Sequence, residues 1–474
     1  MDMSASSSSS HFDEHQNLLP RLPIPELQAT CDRLLAWSRP ILSEEEYQAS
    51  EKSVRQFLED PKQGERLQKL LREYDAKNAA MRHTGEGFGT YFEEFWNMAY
   101  LSPNSSVVLN LNPFFVLEDD PTPSHNSQIE RASSLLFSSL KFISDLRRGV
   151  LSADMGRRNT PLCMSQFKYM FSTCRLAQCG QDVIETDHTA THIVVLCRGQ
   201  FYYFDTLWPS GHVAVTEKDI SQNFAAILDD AHRDDAVRYA MNAVGVLTAE
   251  SRDQWAACRG KLCELAPQNA EVLKIIDKAL FIVCLDDCMP MSIDDRAANM
   301  LHGSYQLDHH AGAHEGLVQT GTLINRWYDK LQLIVCANGA AGINFEHSAV
   351  DGHTVLRFVS DIFADTIVKF ASSITKGTHG NTYIKPVCGI GDFFRPAKGK
   401  ASALNNGATS GVDISPKKMS FILDNDLRKA IHYSETRISD QVLQNELRVL
   451  EFCDFGKLWI VSQSVSPDAF VQIA

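Results

Sequence analysis

The stretch from 331 to 377 limits the fold more than any other part of the chain. Leu331-Gln332-Leu333-Ile334-Val335-Cys336 is an apolar run of strand length, and Ala337-Asn338-Gly339-Ala340 follows as a tight turn in which Asn-Gly supplies positive φ angles. A second apolar strand comes next. Val355, Leu356, Phe358, Val359, Ile362, Phe363, Ile367 and Phe370 then recur at helical spacing, with Gly377 where a stop is expected. A hairpin feeding a long helix points to an α/β chain. Elsewhere, Ile193-Val194-Val195-Leu196 and Phe201-Tyr202-Tyr203-Phe204 read as strands joined through Arg198-Gly199-Gln200. Helices are expected over 26–35, 44–77 and 127–148, the last closing on Arg147-Arg148-Gly149 with cations at the negative end of the dipole.

The 474 residues are long enough for two domains, and 44% hydrophobic with 22% charged residues is the composition of an ordinary globular chain. Lys and Arg number 45 against 59 Asp and Glu, a formal net charge of -14 that disfavours nucleic acid as a partner. Any anionic ligand must then meet a local basic cluster. The 12 cysteines form no CxxC pair, which suggests reduced thiols rather than a metal or disulfide framework. Cys284 and Cys288 are expected as buried thiols on one helix face, and His309, His310 and His314 as a solvated loop, so no metal is expected. The serine-rich start reads as a disordered tail, not a signal peptide, and no stretch is apolar over the ~18 residues of a membrane span. A cytoplasmic monomer is expected, with a mitochondrial or peroxisomal form left open. The polar stretch from 376 to 418, rich in Gly, Pro, Asn and Ser, is the best linker.

His347 lies between the second strand of that hairpin and the long helix, beside backbone donors and the positive end of a helix dipole. Such a setting favours a neutral, proton-accepting imidazole, although a lone histidine there is more often structural. His347-Ser348-Ala349-Val350-Asp351-Gly352 reads HxxxDG, which resembles the signature of coenzyme A-dependent acyltransferases of the chloramphenicol acetyltransferase, dihydrolipoyl acyltransferase and BAHD types. Further blocks occur in order. Leu19-Pro20-Arg21-Leu22-Pro23-Ile24-Pro25, Pro161-Leu162-Cys163-Met164, Cys174-Arg175, Thr191-His192-Ile193, Gly245-Val246-Leu247-Thr248 with Arg252 and Trp255, and Asn325-Arg326-Trp327-Tyr328-Asp329-Lys330 with Glu346-His347 together resemble the carnitine/choline acyltransferase family.

That resemblance implies a two-domain, chloramphenicol acetyltransferase-like fold of mixed sheets flanked by helices. Residues 1–17 would be a tail, 18–85 a helical segment packing with the second domain, 86–375 the His-bearing domain, 376–417 a linker and 418–474 the start of an incomplete second domain. It implies an enzyme exchanging acetyl or short-chain acyl groups between coenzyme A and carnitine, with acyl-coenzyme A as co-substrate and no permanent cofactor. His347 would be the general base, Asp351 a partner of an arginine that shapes the turn, and Gly352 a tight helix entry. Lys457, Ser466 and Asp468 correspond to the coenzyme A segment, where Val461 replaces an expected second lysine. Trp96 and Tyr100 would wall the carnitine site through cation–π contacts.

The resemblance also implies that ~200 residues follow, consistent with a domain of ordinary size. They would hold a Ser-Thr-Ser oxyanion segment, the arginine for the carnitine carboxylate and the acyl pocket. None is in this sequence, so the chain as written is expected to turn over little. Choline acetyl transfer, another HxxxDG acyltransferase and an inactive fragment are the alternatives.

Overall fold

The computed structural model describes residues 15–81, 89–233, 239–309, 317–377 and 412–474. Most of the expected tail, most of the 376–417 linker, and His310 and His314 lie outside them. The strands are β1 Phe114–Leu117, β2 Thr173–Leu176, β3 Val183–Thr186, β4 His192–Cys197, β5 Gln200–Asp205, β6 Ile282–Asp286, β7 Leu307–His309, β8 Leu317–Gln319, β9 Gln332–Cys336, β10 Ala341–Asn344 and β11 Lys417–Met419. The helices are α1 Leu27–Ser38, α2 Glu44–Glu59, α3 Gly64–Met81, α4 Glu93–Leu101, α5 Gln128–Arg147, α6 Glu217–Arg233, α7 Arg252–Leu265, α8 Pro267–Lys278, α9 Ile293–Leu301, α10 Gly352–Gly377, α11 Asn425–Gln444, α12 Lys457–Ser462 and α13 Pro467–Ile473.

Seven strands form one mixed sheet in the order β1-β10-β9-β6-β4-β5-β11, with β9, β6 and β4 parallel and the outer pairs antiparallel. Residue alternation divides the core into two layers. Ile193, Val195, Val283, Leu285, Leu333 and Val335 face α5, α6 and α10. Val194, Leu196, Ile282, Cys284, Ile334 and Cys336 face α7, α8, α11 and a 3₁₀ turn at Val244–Ala249. The parallel centre is covered on both faces, which is why its strands are continuous apolar runs. Cys284 therefore sits on β6 and not on a helix, because Phe281 to Leu285 is such a run.

Two expectations change in detail. The helix expected over 44–77 is two helices, since Pro61 lacks an N–H and disfavours helical backbone at Asp60, which sits at φ -86°, ψ 105°. At the 198–199 turn both residues have positive φ, 53° and 70°, but at Asn338-Gly339 only the glycine does, at 79°. Asn338 instead braces the turn from its side chain, donating to the Pro290 carbonyl at 2.9 Å and accepting from Ala340 N at 3.3 Å.

A Cβ on Gly339 would lie 2.0 Å from the Asn126 carbonyl oxygen. Gly339→Ala is therefore expected to cost about 2 kcal/mol or more, read as a lowered urea midpoint with unchanged m-value. On α11, burial pushes the Glu435 carboxyl up to about 8. The unfolded chain ionises near ~4.3, so the folded state keeps a proton that the unfolded state has lost, and stability falls as pH rises across that window. Glu435→Gln should raise the melting temperature by a few degrees near ~pH 9 and hardly at ~pH 5; an equal rise at both would contradict this.

Candidate active site

β10 delivers the chain to Phe345, Glu346 and His347, and α10 departs at Gly352. His347 is half-buried at the strand-to-helix turn, as the spacing predicts. Two other rings stack with it: Tyr100 with centroids 5.6 Å apart and planes 7° apart, and Phe345 at 6.1 Å and 19°. Trp96 stacks in turn on Tyr100 at 4.5 Å. Trp96 and Tyr100 are one helical turn apart on α4, so a single short helix carries both to the imidazole. The ring nitrogen Nδ1 is buried and has no hydrogen-bond partner among the described residues.

The backbone on either side of the histidine is held by side chains that motif spacing does not single out. Ser348 Oγ donates to Glu346 Oε1 at 2.6 Å and Ser348 N to Glu346 Oε2 at 3.0 Å. Arg175, on β2, donates to Glu346 Oε1 at 3.0 Å, to Ser348 Oγ at 2.9 Å and to Asp182 Oδ2 at 2.6 Å. Arg252 also donates to Asp182 Oδ2, at 2.5 Å, and to Asp329 Oδ1 at 2.7 Å. Burial alone would weaken Arg252 as a cation, but the Asp329 and Asp182 carboxylates raise its affinity for the proton. The sequence signal for Arg175 was only its place in a block beside Cys174.

Asp351 meets no arginine among the described residues. Its Oδ1 accepts from His353 N at 2.7 Å and from Thr354 N at 3.2 Å, capping α10, and the arginine of the turn pairs with Glu346 instead. Gly352 has no positive φ, and a Cβ placed on it would meet no atom within 4 Å, so neither backbone strain nor close approach calls for glycine there. Lys457, Ser466 and Asp468 are exposed on α12 and α13, where Ser466 caps α13 by accepting from Ala469 N at 3.4 Å. No described hydrogen bond, ion pair or ring contact joins them to the His347 turn; Phe455 packs instead on Phe452, Trp459 and Phe470.

The block Asn325 to Lys330 is interior. Arg326 grips Asp286 with two bonds of 2.9 and 2.8 Å, Tyr328 donates to the His302 carbonyl at 2.7 Å, and Lys330 donates to the Thr173 and Asp277 carbonyls at 2.9 and 2.6 Å. Burial lowers the Lys330 proton affinity. Asp286, Cys288 and Cys336 bring ligand atoms within 4.8 Å of one another, yet both Asp286 oxygens are already taken by Arg326, Asn299 and Asn325. That set does not suit a metal ion.

Because Asp351 acts as a helix cap, Asp351→Ala is expected to cost about 1 kcal/mol and Asp351→Asn less than half of that, since an amide oxygen also caps. Equal losses for the two, measured by chemical denaturation, would point to a charge partner instead.

Residues 22–474 match the model of the Choline/Carnitine o-acyltransferase family. The chain is 39% identical over 96% of its length to a Saccharomyces cerevisiae protein named "Putative mitochondrial carnitine O-acetyltransferase", of which it covers 67%. It is 29% identical over 97% of its length to the Homo sapiens mitochondrial carnitine O-palmitoyltransferase 2, covering 65%, and 29% identical over 98% to the Rattus norvegicus carnitine O-acetyltransferase, covering 66%. The chain thus spans about two thirds of the length of the curated relatives it matches. With the family model covering nearly the whole chain and the HxxxDG histidine at a strand-to-helix turn, this protein belongs to the choline/carnitine O-acyltransferase family.

Proposed function

We propose that the protein exchanges an acetyl or other short-chain acyl group between coenzyme A and carnitine, with His347 as general base. The observation that carries this reading is the half-buried imidazole at a strand-to-helix turn, stacked with Tyr100 and Phe345 and with its Nδ1 enclosed. In the forward direction Nε2 takes the proton of the carnitine hydroxyl as its oxygen attacks the thioester carbonyl. The tetrahedral intermediate collapses, the carbon–sulfur bond breaks, and the departing thiolate receives the proton from the imidazolium. Histidine suits this work because its proton affinity lies near neutrality, so the same group can serve both directions. No acyl-enzyme intermediate is needed.

The short-chain reading is supported by the 39% identical relative, which carries the acetyltransferase name, against 29% for the human palmitoyltransferase. Trp96 and Tyr100 form the wall beside the base in this reading. Lys457, Ser466 and Asp468 would contact coenzyme A, whose phosphates need a cation on a protein of net charge -14. The second-domain reading of 18–85 and 418–474 draws support from apolar side chains that stay exposed there, among them Trp37, Leu67, Leu458 and Val471. The relatives' mitochondrial names favour that compartment over the cytoplasm. No helix of the described residues is long and apolar enough to cross a membrane.

The test is His347→Ala in the full-length protein, with thiol release from acetyl-coenzyme A followed in the presence of carnitine or choline. Turnover should fall by at least ~10²-fold with an unchanged circular dichroism spectrum. A variant that keeps its turnover would end the assignment of the base, and faster reaction with choline would reverse the choice of acceptor.

A further inference from the structure

We propose that Arg175 is a positioning residue for this reaction, fixing the backbone on both sides of His347 and tying that turn, through Asp182, to the helix whose rings pack on the imidazole. The inference rests on the reading of His347 as the base. Arg175 is 172 positions away in sequence and 2% exposed, on a two-stranded hairpin, β2–β3, outside the main sheet. Its Nη1 bridges Glu346 and Ser348, the residues immediately before and after His347. With the two Ser348-to-Glu346 bonds this makes a closed polar ring around the histidine's own backbone. Its Nε holds Asp182, whose N–H donates at 3.0 Å to the carbonyl of Leu101, the last residue of α4. One guanidinium therefore sets where the His347 turn lies relative to Tyr100 and Trp96.

The imidazole needs this support. Nδ1 makes no hydrogen bond among the described residues, so that nitrogen does not fix the orientation of the ring. A general base misplaced by about 1 Å can lose on the order of 10² in rate. Lysine cannot substitute: the planar guanidinium reaches three acceptors in fixed directions, while an ammonium on a flexible stem is a point charge. Nor does net stability explain the cluster, since a buried ion pair is often no better than apolar packing of the same volume. What the cluster supplies is direction.

The test compares Arg175→Lys and Ser348→Ala with Arg131→Lys in the full-length protein, using acetyl-coenzyme A and carnitine. Arg131 is equally buried, pairs with Asp120 at 3.3 Å, and has no described bond to the His347 turn. Arg175→Lys is expected to lower kcat by about 10- to 100-fold and Ser348→Ala by about 3- to 10-fold, with KM for acetyl-coenzyme A moving less than about threefold. Arg131→Lys, at a comparable loss of melting temperature, should keep kcat within about twofold. If His347→Ala is inactive but Arg175→Lys and Ser348→Ala both keep kcat, or if Arg131→Lys loses as much as Arg175→Lys, the positioning role is overturned while the base assignment stands. If His347→Ala is active, the functional reading falls and this inference with it. Should Arg175→Lys not fold, Ser348→Ala decides the matter alone, because it removes one hydroxyl and no charge.

Discussion

Asp182 stands between two buried guanidiniums, and the arrangement of the site depends on that contact. Arg175 and Arg252 both donate to its Oδ2, and the Gln178 N–H donates to Oδ1 at 3.1 Å. Arg252 continues to Asp329, which also accepts the indole N–H of Trp255 at 2.7 Å, while Arg175 continues to Glu346. Three carboxylates and two guanidiniums thus share one desolvated cluster, with each cation touching at least two anions. Removing either arginine leaves an end carboxylate, Glu346 or Asp329, without its guanidinium, a loss of ~3 to 5 kcal/mol in comparable buried pairs, whereas the intact set need not be strongly stabilising. Such a cluster tolerates one arrangement. The hairpin β2–β3, α7, the end of α4 and the His347 turn are fixed relative to one another as a result.

What the sequence made legible was local. Periodicity placed β4, β5, β9 and β10 and the long helix after His347, because each has one dominant pattern of burial. It merged α2 and α3 across Pro61, where helical spacing continues on both sides although the backbone cannot. It set Cys284 on a helix because four-residue spacing to Cys288 is equally compatible with a helix and with a strand plus a turn. The family resemblance put His347 forward as a base and Trp96 and Tyr100 as a carnitine wall, but their stacking is a tertiary fact that no spacing of some 250 residues encodes. The arginine partner of the turn was expected at Asp351, four residues downstream. Glu346, one residue upstream, takes it, since Asp351 is spent on the orphan amides at the start of α10.

The block from Asn325 to Lys330, part of what makes the family recognisable, is interior. Asn325, Arg326, Tyr328, Asp329 and Lys330 are all at most 2% exposed, and each spends its polar atoms inside the protein. Buried polar residues are the hardest to exchange one at a time, because truncating one strands its partners without water. Lys330 shows the cost: its amine is wholly enclosed, meets backbone carbonyls rather than a carboxylate, and has a lowered affinity for its proton. A block like this one reports the scaffold, and the chemistry is read only where the scaffold ends, at the turn it supports.

At that turn the aromatic rings pack in a row. The Tyr100 ring centroid lies 4.5 Å from that of Trp96, with planes 28° apart, and 5.6 Å from that of His347, with planes 7° apart. A quaternary ammonium is attracted to the open face of an aromatic ring and repelled by its edge. Both neighbours cover part of the Tyr100 ring, which leaves less of its face open to such a cation. Trp96 is packed by Tyr100 on one side and by Phe92, tilted at 57°, on the other. Phe92, Trp96 and Tyr100 thus form a continuous row of rings along α4 that ends on the imidazole.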